Sequence, residues 1–182
     1  AYCQAGDTVI VQTPNYPPIL AAPAINNLNR TCIGTVAVEG RWTLDFDALE
    51  LAAADPTASL FIMCNPMNPV GSVLSQNELD RIATICRKHG VMLCSDEIHC
   101  DLILDNVPHL PASAHPELAE HSVTLMAASK TFNIAGLGTS FAIIPNAKLR
   151  AAFNHNARGI VPEVTIAGLT ATNAAFRYCD EW

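Results

Sequence analysis

The pattern of hydrophobic and polar positions divides the chain into two kinds of segment that alternate. Short β-rich runs, most of them apolar throughout, predict strands at residues 8–12, 31–39, 59–64, 91–95, 122–127 and 139–144. Amphipathic patterns between them predict helices at residues 18–27, 44–54, 75–89, 147–155 and 163–177, and Ser75 with Glu78 forms a capping box. The alternation predicts an α/β fold of three layers, in which helices cover both faces of a mostly parallel sheet.

The composition is that of a globular protein with a sizeable core, since 50% of the 182 residues are hydrophobic and 15% are charged. The formal net charge of -7, without a basic run, argues against a nucleic-acid partner. No uncharged apolar stretch is long enough to predict a membrane span. Seven cysteines without a Cys-x-x-Cys pair indicate reduced thiols, and we therefore expect a cytoplasmic protein.

Polar side chains follow three of the predicted strands at the points where these strands end. Asn68 follows the strand at 59–64, Asp96 and His99 follow the strand at 91–95, and Lys130 follows the strand at 122–127. In sheets of this kind, ligands bind beyond the carboxyl ends of the strands. The pattern alone therefore predicts that an amine, a carboxylate and an amide converge on one edge. They could hold an aromatic aldehyde cofactor through an imine, a ring nitrogen and a ring oxygen.

Several of these residues also have simpler interpretations. Lys130 could be a solvated loop lysine, although its neighbours are small and apolar, and Asp96 could cap a helical turn. Asn68 could belong only to a stiff turn, because it lies between two prolines. Tyr16, which follows the first strand, could stack on a cofactor ring or be an exposed loop residue.

A rival interpretation makes a metal site of four residues that lie close together in sequence, namely Cys94, Asp96, His99 and Cys100. Zinc motifs usually separate two pairs of ligands by a longer span than these four residues allow. We therefore expect no metal, and the cofactor interpretation remains the stronger one.

Three motifs, taken in order, resemble those of the fold-type I pyridoxal-phosphate enzymes in the class I/II aminotransferase superfamily. They are Asn65-Pro66-Met67-Asn68-Pro69-Val70-Gly71, Ser95-Asp96-Glu97-Ile98-His99 and Ser129-Lys130-Thr131-Phe132-Asn133. The second and third motifs look closest to the cystathionine β-lyase branch of the MalY/PatB type. The resemblance spans nearly the whole chain and implies the large cofactor-binding domain of that fold.

The resemblance also implies a role for each matched residue, with pyridoxal 5'-phosphate as the cofactor. Lys130 is similar to the catalytic lysine that bonds covalently to the cofactor, and Asp96 to the aspartate that keeps its ring nitrogen protonated. Asn68 is similar to the amide that bonds the ring hydroxyl. The remaining implied cofactor contacts are made by His99, by Tyr16 as the stacking aromatic and by Ser129 at the phosphate.

Some features of the superfamily are not matched. Gly138 stands eight residues after Lys130, where ordinary class I aminotransferases have a phosphate-binding arginine, and Ala127 stands where a serine is often found. We see no upstream glycine-rich phosphate turn, and neither Arg150 nor Arg158 lies at the place of the substrate-carboxylate arginine. We therefore expect residues 1–182 to be a fragment of a longer enzyme, lacking its N-terminal segment and C-terminal small domain.

The function that the resemblance implies is a carbon–sulfur β-lyase acting on cystathionine or related cysteine S-conjugates. Its expected partners are a small amino-acid substrate and, in the full-length enzyme, a second copy in a homodimer. An aminotransferase is the first alternative, because both reactions begin with removal of the Cα proton. A non-catalytic fragment is the second alternative.

Overall fold

The fold is built around a mostly parallel sheet, as seen in a computed structural model that describes residues 1–104 and 106–182. The strands are β1 (Thr8–Gln12), β2 (Asn29–Ile33), β3 (Thr35–Val38), β4 (Arg41–Leu44), β5 (Ala58–Cys64), β6 (Met92–Asp96), β7 (Ser122–Met126) and β8 (Phe141–Ile143). Six of them form the sheet in the order β2-β1-β5-β6-β7-β8, while β3 and β4 form a separate antiparallel hairpin. The predicted α/β fold class is therefore confirmed.

Five helices connect the strands or follow them. They are α1 (Pro17–Ile25), α2 (Phe46–Ala53), α3 (Gln76–His89), α4 (Ala147–Ala157) and α5 (Ile166–Tyr178). The predicted capping box of α3 is present, because the Ser75 side chain accepts from the Glu78 backbone and the Glu78 carboxylate accepts from the Ser75 backbone. None of the helices in the described residues is long and apolar enough to cross a membrane.

The main hydrophobic core lies between the sheet and the pair α2 and α3. Strand residues Ile10, Phe61 and Leu93 are fully buried there and pack with helix residues such as Leu49 and Ile82. The backbone polar groups of the inner strands pair within the sheet itself, and the chemistry is left to the segments at the strand ends.

The segment at residues 31–39, which we predicted as one strand, is divided between two strands in the structure. It contains the end of β2 and the whole of β3, which are separated at Gly34. Glu39 and Gly40 then reverse the chain with positive φ angles of 52° and 78°, so that β4 pairs back on β3. The helix predicted from residue 44 therefore begins later, at Phe46, where the Asp45 side chain caps it by accepting from the Ala48 backbone.

The last strand also differs from the expected pattern. We predicted residues 139–144 as a strand of a mostly parallel sheet, and the shorter β8 instead runs antiparallel to β7. The chain from Lys130 to Ser140 contains only turns and one short 3₁₀ segment, with no crossover helix that could return the strand in parallel.

The long stretch at residues 101–121 holds two 3₁₀ turns, at Ala112–Ala114 and Ala119–His121.

Candidate functional site

The strands that precede the candidate residues are immediate neighbours in the sheet. In the parallel register of β5, β6 and β7, Cys64 lies beside Asp96 and Asp96 lies beside Leu125. The backbone continues this pairing past the strands, because the Asn65 N–H donates to the Asp96 carbonyl and the Glu97 N–H donates to the Leu125 carbonyl, both at 2.9 Å. The segments that carry Asn68, Asp96 and Lys130 thus leave the same edge of the sheet side by side.

Asp96 is the last residue of β6, and its carboxylate is only partly exposed. Burial raises the pKa of Asp96, while a hydrogen bond from the Ile98 N–H at 3.2 Å and the nearby His99 imidazole partly oppose the rise. The residues after Asp96 form a turn and not a helix, and the Asp96 side chain accepts from the backbone of this turn. A carboxylate in this position would be stabilised by a cationic partner.

Asn68 lies in a turn that directly faces the end of β5. The turn is tied to the strand by the Cys64 thiol, which donates to the Pro66 carbonyl at 3.1 Å. Burial raises the pKa of this thiol to about 12, with the charge of Asp96 adding to the rise and the Asn68 backbone opposing it. A cleft of about 530 Å³ opens beside the turn. Asn68 and His99 both line it, together with residues 40–42 of the hairpin, the rest of the turn at 66–73, and residues 102–104 and 107.

A buried glutamate, whose role sequence reasoning missed, anchors one wall of this cleft. Glu97 is 0% exposed and accepts three hydrogen bonds, from the Ser95 hydroxyl at 2.9 Å, the His109 Nε2 at 2.8 Å and the Ala112 N–H at 2.9 Å. These bonds tie the segment that follows residue 107 to the strand that carries Asp96. The signal in the sequence was an acidic residue directly after a buried strand, with no cation nearby in sequence.

Lys130, Ser129 and Tyr16 lie at the same edge but do not contribute to the lining of that cleft as far as the structure describes it. Lys130 is exposed, and the ion pairs among the described residues do not include its ammonium group. Ser129 is half-buried, and its carbonyl accepts from the Ile134 N–H at 3.1 Å. Tyr16 is 50% exposed and directly precedes α1, beyond the end of β1.

Within the described part of the chain, four polar side-chain atoms near the strand ends are buried without a hydrogen-bond partner. They are the amide nitrogens of Gln12, Asn15 and Asn65 and the hydroxyl of Thr131. Gln12 ends β1 and Asn65 directly follows β5, while Thr131 follows Lys130 in the chain. Buried donors of this kind are uncommon in proteins, and a polar ligand at this edge would offer acceptors to them. Sequence reasoning missed Gln12 and Asn15, although Gln12 stands out as the only amide in an otherwise apolar strand.

The rival metal interpretation is not supported by the geometry. Among the described residues, no group of three or more histidine, cysteine, aspartate or glutamate side chains is arranged to hold a metal ion. Cys94 and Asp96 point to the same face of β6, but Cys100 lies in the turn that follows the strand, where its N–H donates to the Glu97 carbonyl. The four residues therefore do not form a ligand cluster.

The sheet order and the residues beyond its carboxyl edge define an α/β chain with the fold of the large domain of fold-type I pyridoxal-phosphate enzymes. The family model described as aminotransferase class I and II matches residues 1–177, and the chain belongs to this family. The resemblance found in the sequence motifs is thus confirmed.

Two bacterial relatives match the whole of the chain. Cystathionine beta-lyase PatB of Bacillus subtilis is 39% identical over 184 residues, which cover 48% of its length. Protein MalY of Escherichia coli is 33% identical over 187 residues and 46% of its length. The chain therefore spans about half the length of the curated relatives that it matches.

Solved structures agree with this assignment. The crystal structure of OvoB superposes with a TM-score of 0.94 at 39% identity, covering 100% of this chain and 48% of that one. The crystal structure of cystalysin from Treponema denticola, which contains a pyridoxal 5'-phosphate cofactor, superposes with a TM-score of 0.93 at 34% identity. It covers 100% of this chain and 46% of the cystalysin chain.

Proposed function

We propose that residues 1–182 form the large cofactor-binding domain of a pyridoxal-phosphate-dependent carbon–sulfur β-lyase. The expected substrates are cystathionine and related cysteine S-conjugates, and the products are pyruvate, ammonia and a thiol. One observation carries the proposal, namely that Asn68, Asp96 and Lys130 follow the ends of three adjacent strands in a chain 39% identical to a cystathionine beta-lyase.

The chemistry of the donor set fits the cofactor. Lys130 offers an exposed amine for a covalent bond to the aldehyde carbon. Asp96 offers a carboxylate whose pKa is raised by burial, and a protonated ring nitrogen would be its cationic partner. Asn68 offers an amide for the ring oxygen, and His99 lines the same cleft. The unpartnered amides of Asn65 and Asn15 add donors that a ligand with several oxygen atoms could use.

Each of the remaining candidate residues has a part in the proposal. Tyr16, half exposed beyond β1, would stack its ring on the cofactor, and Ser129 would donate its hydroxyl to the phosphate. When bound, pyridoxal phosphate would supply an electron sink for the charge that develops at the substrate Cα. Lys130 would hold the cofactor covalently and would be the base that takes the Cα proton. Asp96 keeps the ring nitrogen protonated, which maintains the electron sink.

An aminotransferase is the second candidate, and the relatives give it specific support. Nicotianamine aminotransferase A of Hordeum vulgare is 32% identical over 115 residues, which cover 63% of this chain and 24% of its own length. The two reactions share the proton removal at Cα and differ in what leaves afterwards.

The test uses the complete protein and compares two lysine variants. Borohydride reduction of the protein with pyridoxal phosphate, followed by peptide mapping, should place the pyridoxyl group on Lys130. Pyruvate release from cystathionine, without any keto acid, should be abolished by Lys130→Arg and retained by the matched control Lys148→Arg, because Lys148 lies on α4. A label on another lysine would refute the role of Lys130. Product formation that requires a keto-acid acceptor would favour the aminotransferase.

The proposal extends to assembly and location. We propose a homodimer, supported by the large apolar side chains that remain exposed near the cleft, Trp42 on the hairpin and Leu104 on the loop. We also propose that the protein works in the cytoplasm, supported by seven cysteines that are all free in the described chain. Light scattering of the complete protein should give twice the mass of one chain, and a monomer would contradict the first of these two proposals.

A further inference from the structure

The loop that carries Lys130 has little backbone support of its own. After β7 ends at Met126, the chain makes a tight turn in which the Phe132 N–H donates to the Ala128 carbonyl at 3.0 Å. A second local bond joins Ile134 to Ser129 at 3.1 Å. Such local turns do not fix a loop relative to the sheet, so the position of Lys130 depends on side chains that connect the loop to other elements.

Two aromatic side chains make this connection. Trp182 donates its Nε1–H to the Thr131 carbonyl at 2.7 Å, and Phe176 of α5 packs on Phe132. The Phe176 ring meets the Phe132 ring edge to face, with the centroids 5.6 Å apart and an interplanar angle of 80°. It meets the Phe141 ring in the same way, at 6.0 Å and 77°. Phe132 lies two residues after Lys130 and Phe141 begins β8, so the Phe176 ring joins the loop to the edge strand. Edge-to-face pairs at these separations are attractive beyond the apolar area that they bury.

The backbone of α5 also lies directly against the loop. A Cβ atom added to Gly168 would come within 2.8 Å of the Leu137 carbonyl oxygen and would also meet the Thr139 side chain. Gly168 and Ala175 are the buried residues of this helix, and their spacing of seven residues places them on one face. The helix backbone therefore packs closely on the loop at Gly168, and the Phe176 ring, which is 40% exposed, extends the contact to Phe132.

We propose that Phe176 is a positioning residue for Lys130, acting through Phe132. The inference rests on the proposed function, in which Lys130 bonds to the cofactor and moves a proton at Cα. Phe176 touches neither group, and its effect is to keep the Lys130 loop in one conformation before the cofactor arrives. Reactions of this kind lose rate steeply when the reacting amine is displaced by small distances.

The first experiment measures loop order in the complete protein without cofactor. Trypsin cleaves after Lys130 when the loop opens, and cleavage after Lys88, inside α3, reports global unfolding in the same digest. Phe176→Ala should speed cleavage after Lys130 about tenfold while leaving cleavage after Lys88 unchanged. Tyr178→Ala is the matched control, because it removes a 76% exposed aromatic ring from the same helix and should change neither rate.

The second experiment tests positioning in the protein loaded with pyridoxal phosphate. The visible absorbance of the bond to Lys130 depends on pH, and its midpoint reports the surroundings of the lysine nitrogen. Phe176→Ala should move this midpoint by about one pH unit, and Tyr178→Ala should leave it unchanged. Faster cleavage with an unchanged midpoint would mean that Phe176 orders the loop without positioning the amine, and would overturn the proposal. Equal behaviour of the two variants would overturn it as well.

A general loss of folding is separated from these outcomes by a milder variant. If Phe176→Ala also accelerates cleavage after Lys88, Phe176→Leu is used in its place. This variant keeps apolar volume at the position but removes both ring contacts, and it is judged by the same two measurements. Failure of the proposed function is recognised independently, as a borohydride label on a lysine other than Lys130 in the unsubstituted protein.

Discussion

The buried Glu97 network gives the sharpest prediction for stability. We expect Glu97→Ala to destabilise the protein strongly, because the carboxylate is fully buried and accepts from Ser95, His109 and Ala112 at 2.8 to 2.9 Å. The substitution removes all three acceptor contacts. It leaves the His109 ring and the buried Ala112 N–H without a partner in a place that water reaches poorly.

The magnitude follows from that count. A hydrogen bond to a charged group contributes about 1.5–3 kcal/mol, but the three are not additive, since the freed groups partly relax. A buried donor left without an acceptor costs about 1–3 kcal/mol, and two such groups lower the expected free energy of unfolding by about 2–6 kcal/mol. The loss of stability should be largest in the segment from His109 to Ala112, because Glu97 ties this segment to β6.

The assay is urea unfolding of the cofactor-free complete protein, with hydrogen exchange of the Ala112 amide as a local probe. Glu117→Ala is the control, because Glu117 pairs with Arg87 at 3.3 Å with both side chains well exposed, and its loss should cost less than about 1 kcal/mol. If Glu97→Ala costs no more than this control, the network does not hold the cleft wall and the reasoning from burial is wrong.

Three further predictions concern titration, helix capping and thiol reactivity. Burial raises the pKa of Asp96 above its ordinary value of 3.8, so ionisation costs the folded state stability as the pH rises through the raised value. Asp96→Asn should therefore raise the urea midpoint of the cofactor-free protein at neutral pH but not below pH 3.8. The same substitution should abolish lyase activity. An unchanged urea midpoint at neutral pH would contradict the stability prediction. Ser75→Ala removes the side-chain cap of α3 and should cost about 0.5–2 kcal/mol in the same unfolding assay, whereas Ser75→Asn should cost less. In iodoacetamide labelling followed by peptide mapping, the exposed Cys32 and Cys179 should react first, and labelling should be slow at the thiols whose pKa is raised to about 12, namely Cys64, Cys86, Cys94 and Cys100.

The sequence predicted well those features that local physical chemistry decides. β1 was predicted with its observed bounds, and α3 begins directly after Ser75, because apolar runs and capping boxes are short-range signals. The position of Asn68, Asp96 and Lys130 beyond three strand ends was also predicted, since parallel strands present their carboxyl ends at one edge.

Other features depend on contacts between segments that are distant in sequence. The β3–β4 hairpin was missed because the apolar β3 was merged with β2 into one run, and because Glu39 has the positive φ that Asn or Asp usually adopts before Gly40. Likewise, the pairing of Glu97 with His109 could not be read from either residue alone. The contact of Phe176 with Phe132 joins residues 44 positions apart, and it becomes visible only when α5 is packed against the loop.

The division between strands and the segments beyond them has a consequence for how such a protein can evolve. None of the six residues proposed for the cofactor site, Tyr16, Asn68, Asp96, His99, Ser129 and Lys130, belongs to the buried set that forms the core. Substitutions that alter the chemistry can therefore accumulate without eroding the core, and substitutions that repack the core need not disturb the chemistry. The relatives include both a lyase and an aminotransferase, as we expect if new reactions arise by exchange of side chains at one edge of a core that stays the same.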